Sequence, residues 1–187
     1  AVGDLLAHYG DPKFFAYGHL PIYLQAFLYK IRGFVGLISQ NRVDEMVYSG
    51  RLVASFLSLG TIFFVWRIVR LLGLPLWTSW VAAFLASFFP LAVQLSQFST
   101  VDSHIAFFVT AAVERTIVFQ KSRRWRDFAL LSIFLGAALA CKANSLPLVL
   151  VILLALARFW RSPKFYLLPI SILVCFGIFE PYAFIHW

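Results

Sequence analysis

Between Leu52 and Phe179 this chain alternates long apolar runs with short basic clusters, and that alternation limits what it can fold into. The runs Leu52–Trp66, Trp77–Val93, Leu146–Ala157 and Phe165–Phe179 approach or reach the length that crosses a bilayer, for which about 20 apolar residues are needed. With 61% of its 187 residues hydrophobic and only 13% charged, a water-soluble domain could not hide the apolar surface in one core. Lipid is the natural solvent for the excess. The expected fold class is all-α, a polytopic transmembrane helical bundle.

The formal net charge of +8 would suggest nucleic acid as the partner of a soluble protein. Here the bases fall in clusters between apolar runs, the usual arrangement of cytoplasmic loops, so no nucleic-acid partner is expected. The clusters are Arg67 and Arg70, then Lys121, Arg123, Arg124 and Arg126, then Arg158, Arg161 and Lys164. If all three are cytoplasmic, spans are expected at about 51–72, 76–96, 102–120, 127–142, 145–160 and 164–180, six crossings in all. The alternative for 127–160 is a single kinked helix. That would leave Lys142 near mid-bilayer, at a cost of about 2.5–3.5 kcal/mol, and would break the distribution of positive charge. The helix pair, turning near Lys142–Pro147, is therefore favoured. Cys141 and Cys175 both lie in apolar runs and read as buried free thiols.

Residues 1–50 read as an extracytoplasmic loop carrying one interfacial helix, and 51–187 as the bundle. Gly3, Asp4, Gly10, Asp11, Pro12 and Gly18 mark turns before residue 20. Leu20–Ile38 is apolar but interrupted by Gln25, Lys30 and Arg32, which suits a juxtamembrane helix lying on the membrane better than a span. Asn41–Gly50 is polar again. The chain starts at Ala1 without a visible signal peptide and stops at Trp187, just after an apolar run. It is expected to be a piece of a longer protein.

This topology puts Arg51, the Gln97–Asp102 corner, the Lys142–Pro147 turn and Glu180–Tyr182 on the outer side. Ionisable groups at membrane depth are costly and usually face a bundle interior or a watery cavity, so Asp102, Arg51 and Lys142 suggest a polar pocket opening outward. Each has a plainer reading. Asp102 can be a first-turn carboxylate serving free backbone N–H groups and the helix dipole, or else a catalytic or cation-binding group. Arg51 and Lys142 can snorkel to headgroups or bind a lipid phosphate. His104, two residues from Asp102, points elsewhere on a helix, and the two do not make a metal motif. Glu114-Arg115 reads as a solvated structural pair, and Asp44-Glu45 as surface charge on a loop.

The segments Phe14–Leu24, Gly50–Ala54, Gln97–Ser103, Cys141–Pro147 and Glu180–Ala183, in this order and at this spacing, resemble the GT-C-type, polyprenyl-phosphate-sugar-dependent glycosyltransferases. These include the protein O-mannosyltransferases and the bacterial aminoarabinose transferases. The resemblance covers nearly the whole chain. It implies inverting transfer of a sugar from a polyprenyl phosphate (dolichyl or undecaprenyl) to an acceptor hydroxyl on the extracytoplasmic or lumenal side. The implied partners are the lipid-linked donor, membrane lipids and an acceptor that is protein, lipid or glycan. The membrane would be the plasma (inner) membrane or the endoplasmic reticulum. Asp102 matches the family's second acidic position. Arg51, Lys142, Tyr17 and His104 become candidates for binding substrate or lipid phosphate. The family's main Asp-Glu pair would precede residue 1; Asp44-Glu45 is not that pair, and the chain by itself is expected to be inactive. A divalent metal is left open, because the family contains both metal-dependent and metal-independent members. A transporter or lipid flippase, or a noncatalytic membrane subunit, is the alternative reading. The halves around residue 95 do not repeat, which disfavours transport.

Overall fold

The computed structural model describes residues 18–37, 42–98 and 100–181, and within them every regular element is helical. In chain order these are α1 (Leu20–Phe34), α2 (Arg42–Leu71), α3 (Leu76–Ser87), α4 (Pro90–Gln97), α5 (Val101–Ser122) and α6 (Trp125–Cys141). A 3₁₀ turn, Ala143–Ser145, leads into α7 (Leu146–Leu156), and another, Ala157–Phe159, precedes α8 (Pro163–Phe179). Proline in the first turn opens α1, α4, α7 and α8, where its missing N–H costs nothing and its φ is already helical.

α6 is the central element. One face packs on α5 and another on α8, and Leu131, Leu135, Ala137, Ala138, Ala140 and Cys141 are all but sealed from solvent. The approach of α8 requires Gly136, where a Cβ would stand 2.5 Å from Cys175 Cβ. Ser132 and Ser171 bridge the same helices at 2.8 Å. On the far side Phe119, Phe128, Leu156, Leu168 and Ile172 close one apolar cluster drawn from α5 to α8.

Outside that core the surface is apolar. Phe56, Trp77, Trp80, Phe84, Leu154 and Ile178 are each more than 60% exposed, which would cost heavily in water and nothing in lipid. Val43–Leu71 is the one helix among the described residues that is long and apolar enough to cross a membrane alone, and only 6% of its apolar window is buried by the protein. A soluble core helix would be mostly covered. α3 and α4 together would make a second span, bent by 54°; Pro90 removes a backbone donor there and clashes with the preceding turn. The sequence pattern alone reads 76–96 as one span.

Two expectations about charge need correction. Asn41–Gly50 looked like polar loop, but the helix of α2 begins at Arg42, with Asp44 and Glu45 in its first turn, where carboxylates offset the helix dipole. Glu45 is not surface charge. It pairs with Arg32 of α1 at 2.7 Å. The same guanidinium donates to Ser49 Oγ at 3.0 Å and stacks over Tyr48, while Gln25 donates to the Met46 carbonyl. Glu114-Arg115 is likewise not solvated. Glu114 is fully buried between Arg67 of α2 at 2.8 Å and Arg115 at 2.5 Å, and Arg115 continues to Asp127 of α6 at 3.3 Å. A lone carboxylate at that depth would be prohibitive; two guanidinium groups offset its desolvation.

The chain reverses at Lys142. The backbone there is extended (φ −164°, ψ 129°), Ser145 Oγ donates back to the Ala138 carbonyl at 3.1 Å, and α7 returns until Gln120 at the end of α5 donates to the Ala155 carbonyl at 3.2 Å. α6 and α7 therefore run antiparallel, and the three basic clusters meet at one end. Lys121 donates to the Leu71 carbonyl and Lys164 to that of Arg123. The opposite end is about 33 Å away, the length of the 22-residue α5.

Glu114→Ala in the full-length protein leaves Arg67 and Arg115 without their buried partner, and is expected to cost about 3–5 kcal/mol. Thermal unfolding in detergent checks it, and a change no larger than that of Asp44→Ala would contradict the buried network.

Candidate functional site

Asp102 and Lys142 come together at the end opposite the basic clusters. Asp102 sits in the first turn of α5, which begins when Thr100, in extended conformation, stops the preceding turn. Lys142 stands at the α6–α7 reversal. Its Nζ lies 3.6 Å from Asp102 Oδ1, and the two side chains are 31% and 50% exposed. Both remain partly wet, so the ion pair between them is weak.

Beside this pair a groove of about 510 Å³ opens between α2, α3, α4 and α5. Leu59, Ile62, Phe89, Leu91 and Leu95 make its walls, and Asp102 stands at its rim. Several hydroxyls also face it, but those of Ser58, Thr61, Ser87, Ser96 and Ser103 donate to carbonyls of their own helices. The walls are thus effectively apolar, and polarity is confined to the mouth.

Arg51 is not in contact with that pair. It is exposed and makes no hydrogen bond or ion pair among the described residues. It does share a helical face with Ser55, Ser58 and Ile62, which line the groove, and lies one turn beyond them toward the same end. His104 is buried, with 2% exposure. Its Nδ1 is 3.1 Å from the Thr100 carbonyl, and its Nε2 is enclosed with no partner among the described residues. Its contacts are thus with its own helix turn rather than with the Asp102–Lys142 pair. Tyr17 lies outside the described residues.

The sequence reading missed a second cluster at this end. His19, fully buried at the head of α1, lies 3.7 Å from Glu180, the residue that follows the last turn of α8. Burial pushes the Glu180 carboxyl up to about 7, and the main-chain N–H of His19 opposes that rise. Gly18 donates to the Cys141 carbonyl at 3.0 Å, and a Cβ on Gly18 would sit 1.9 Å from the Ala140 carbonyl oxygen. The ends of α1, α6 and α8 are thereby tied beside Lys142. Glu180-Pro181 and the glycine-histidine pair were visible as motifs, but nothing in the spacing showed that they meet. No group of three or more His, Cys, Asp or Glu side chains able to hold a metal ion is assembled among the described residues.

Such an arrangement offers an apolar slot with one carboxylate and two cations near its mouth. That chemistry suits an amphiphile with an anionic head and a long hydrocarbon tail. Residues 21–181 match the sequence model of the family described as dolichyl-phosphate-mannose-protein mannosyltransferase. No curated protein and no solved structure matches the chain.

Because Asp102 and Lys142 are solvated, Asp102→Asn and Lys142→Gln, alone or combined, should shift the unfolding free energy of the full-length protein by less than about 1 kcal/mol. A loss above about 2 kcal/mol in denaturation assays would mean that the pair is structural.

Proposed function

This chain belongs to the dolichyl-phosphate-mannose-protein mannosyltransferase family, an integral-membrane family of glycosyltransferases, and we propose that its groove and rim bind a polyprenyl-phosphate sugar and present it to an acceptor hydroxyl. The observation that carries this reading is the approach of Asp102 and Lys142 to 3.6 Å at the mouth of an apolar groove. The isoprenoid tail occupies the groove, where it meets Leu59, Ile62 and Phe89. The phosphate lies at the rim.

In the transfer, the acceptor oxygen attacks the anomeric carbon, the bond from that carbon to the phosphate oxygen breaks, and negative charge grows on the departing polyprenyl phosphate. Lys142 and Arg51 neutralise that charge, which is where fixed cations lower a barrier most. The proton of the acceptor goes to a carboxylate. The resemblance assigns the main base to an acidic pair other than Asp44-Glu45, and Asp102 then orients the acceptor or the sugar. Any divalent metal would need donors beyond Asp102, because none is clustered with it among the described residues.

The mouth belongs on the extracytoplasmic side. Every basic cluster lies at the other end of α5, and an excess of Lys and Arg marks cytoplasmic loops. The reversal at Lys142 and the return of α7 support two crossings over 127–160, and with them a multi-pass protein in the plasma or endoplasmic-reticulum membrane. Helix α1, latched to α2 near its C-terminal end through Arg32 and Glu45, leaves Phe27 and Phe34 exposed and suits a helix lying in the membrane interface.

Asp102→Asn in the full-length enzyme is expected to lower kcat by roughly 10²-fold, the cost of a misplaced acceptor or sugar, with unchanged expression and fold. Lys142→Gln and Arg51→Gln should instead raise KM for the lipid-linked donor. Normal turnover by the Asp102 variant would remove this carboxylate from the reaction. Single cysteines at 102 and 142 should react with an impermeant reagent from one side of the membrane, and cysteines at 124 and 161 from the other.

A further inference from the structure

The whole formal charge of the chain is concentrated at the end remote from the proposed reaction. Ten Lys and Arg residues between 67–70, 115–126 and 158–164 face only two carboxylates there, Glu114 and Asp127, a balance of +8 that equals the net charge of the chain. Both carboxylates are already taken by Arg67 and Arg115. Within this end one pocket of about 410 Å³ is lined by Gln120, Arg123, Arg158, Phe159, Arg161 and Ser162. We infer that it is a binding site for the phosphate headgroup of an anionic phospholipid from the surrounding leaflet.

The pocket is built rather than incidental. Arg123 adopts a left-handed backbone (φ 52°) where α5 ends. Its guanidinium then lies over the Phe159 ring at 4.0 Å, and that of Arg158 approaches the same ring at 4.6 Å. Two cations held on one aromatic ring repel each other unless an anion joins them. Among the described residues neither has a carboxylate partner, and neither does Arg161. Gln120 fixes the floor, accepting from Arg158 at 3.4 Å while donating to Ala155. Ser162, extended just before α8, lines the same pocket, and its hydroxyl makes no capping bond.

The tail side identifies a lipid. A smaller, mainly apolar cavity of about 110 Å³ adjoins the pocket and shares Arg123, Phe159 and Ser162 with it, adding Phe119, Leu156, Phe165 and Leu168, with Lys164 as its one further cation. Trp125 and Trp160 are exposed at the same level, where indoles mark the headgroup region. A free phosphate would use only the charged half.

The test uses the full-length protein in nanodiscs of zwitterionic phosphatidylcholine, with phosphatidylglycerol titrated in and lipid retention read by native mass spectrometry. Arg158→Gln with Arg161→Gln should weaken retention roughly ten- to thirty-fold, from about 1 kcal/mol per basic residue at a membrane surface. Arg124→Gln with Arg126→Gln removes the same charge from residues that do not line the pocket and should weaken it several-fold less. Arg158→Lys with Arg161→Lys keeps the charge but loses the planar fork; it should fold like the parent and retain lipid at an intermediate level. Equal losses in both glutamine pairs would mean a diffuse field and overturn the site. Displacement of the lipid by millimolar inorganic phosphate would overturn the lipid as occupant. Glycosyl transfer is read separately, so failure here leaves the groove assignment standing.

Discussion

Glu114 is the point on which the helices are joined. Its carboxylate is fully enclosed, and it is tolerable there only because Arg67 comes from α2 and Arg115 from α5 itself, with Asp127 completing the set from α6. Helices in lipid gain little from burying apolar side chains against one another, since the tails are equally apolar. Packing and polar contacts must hold them instead. The Glu114 network fixes three helices at one end, and Gly136 and the Ser132–Ser171 bond bring α8 against α6.

What happens at the distant end follows from that anchoring. α5 is an unbroken helix of 22 residues, with Glu114 toward one end and Asp102 at the other. α6 runs back alongside it and stops where Lys142 goes extended, so the reversal delivers a cation to the first turn of α5. Gly18 and Cys141 tie α1 to the same place, and His19 meets Glu180 from α8. Four helix ends thus converge beside the mouth of a groove whose walls are apolar. The division of labour is electrostatic: balanced charge at the mouth, excess positive charge at the opposite end. A phosphate-bearing lipid is compatible with both ends, but for different reasons: carboxylate and cation together at one, surplus guanidinium at the other.

Several parts of this were legible in the residues. The break at Lys142–Pro147 and the start of α1 at Leu20 follow from proline and polar punctuation, and the apolar runs locate the helices. Other parts were not. The polar stretch before Gly50 resembled a loop because its charges look solvated, yet Asp44 and Glu45 are good first-turn residues, and Glu45 has Arg32 to meet. Glu114-Arg115 looked like a surface pair because adjacent opposite charges usually are; Arg67, far away in sequence, is what buries it. The 54° bend between α3 and α4 was signalled by Pro90 but masked by the continuity of the apolar run.

By itself the sequence determined the solvent, the helical class and the clustering of positive charge, because each is a sum over residue types along the chain and needs no knowledge of contacts. It also supplied the family resemblance, which depends on the order of motifs. Only the tertiary structure decided which polar groups meet: Lys142 with Asp102, His19 with Glu180, two arginines with Glu114. Pairing of that kind depends on where helices reverse and how closely they pack. A carboxylate's neighbours across a bundle leave no trace in the residues beside it.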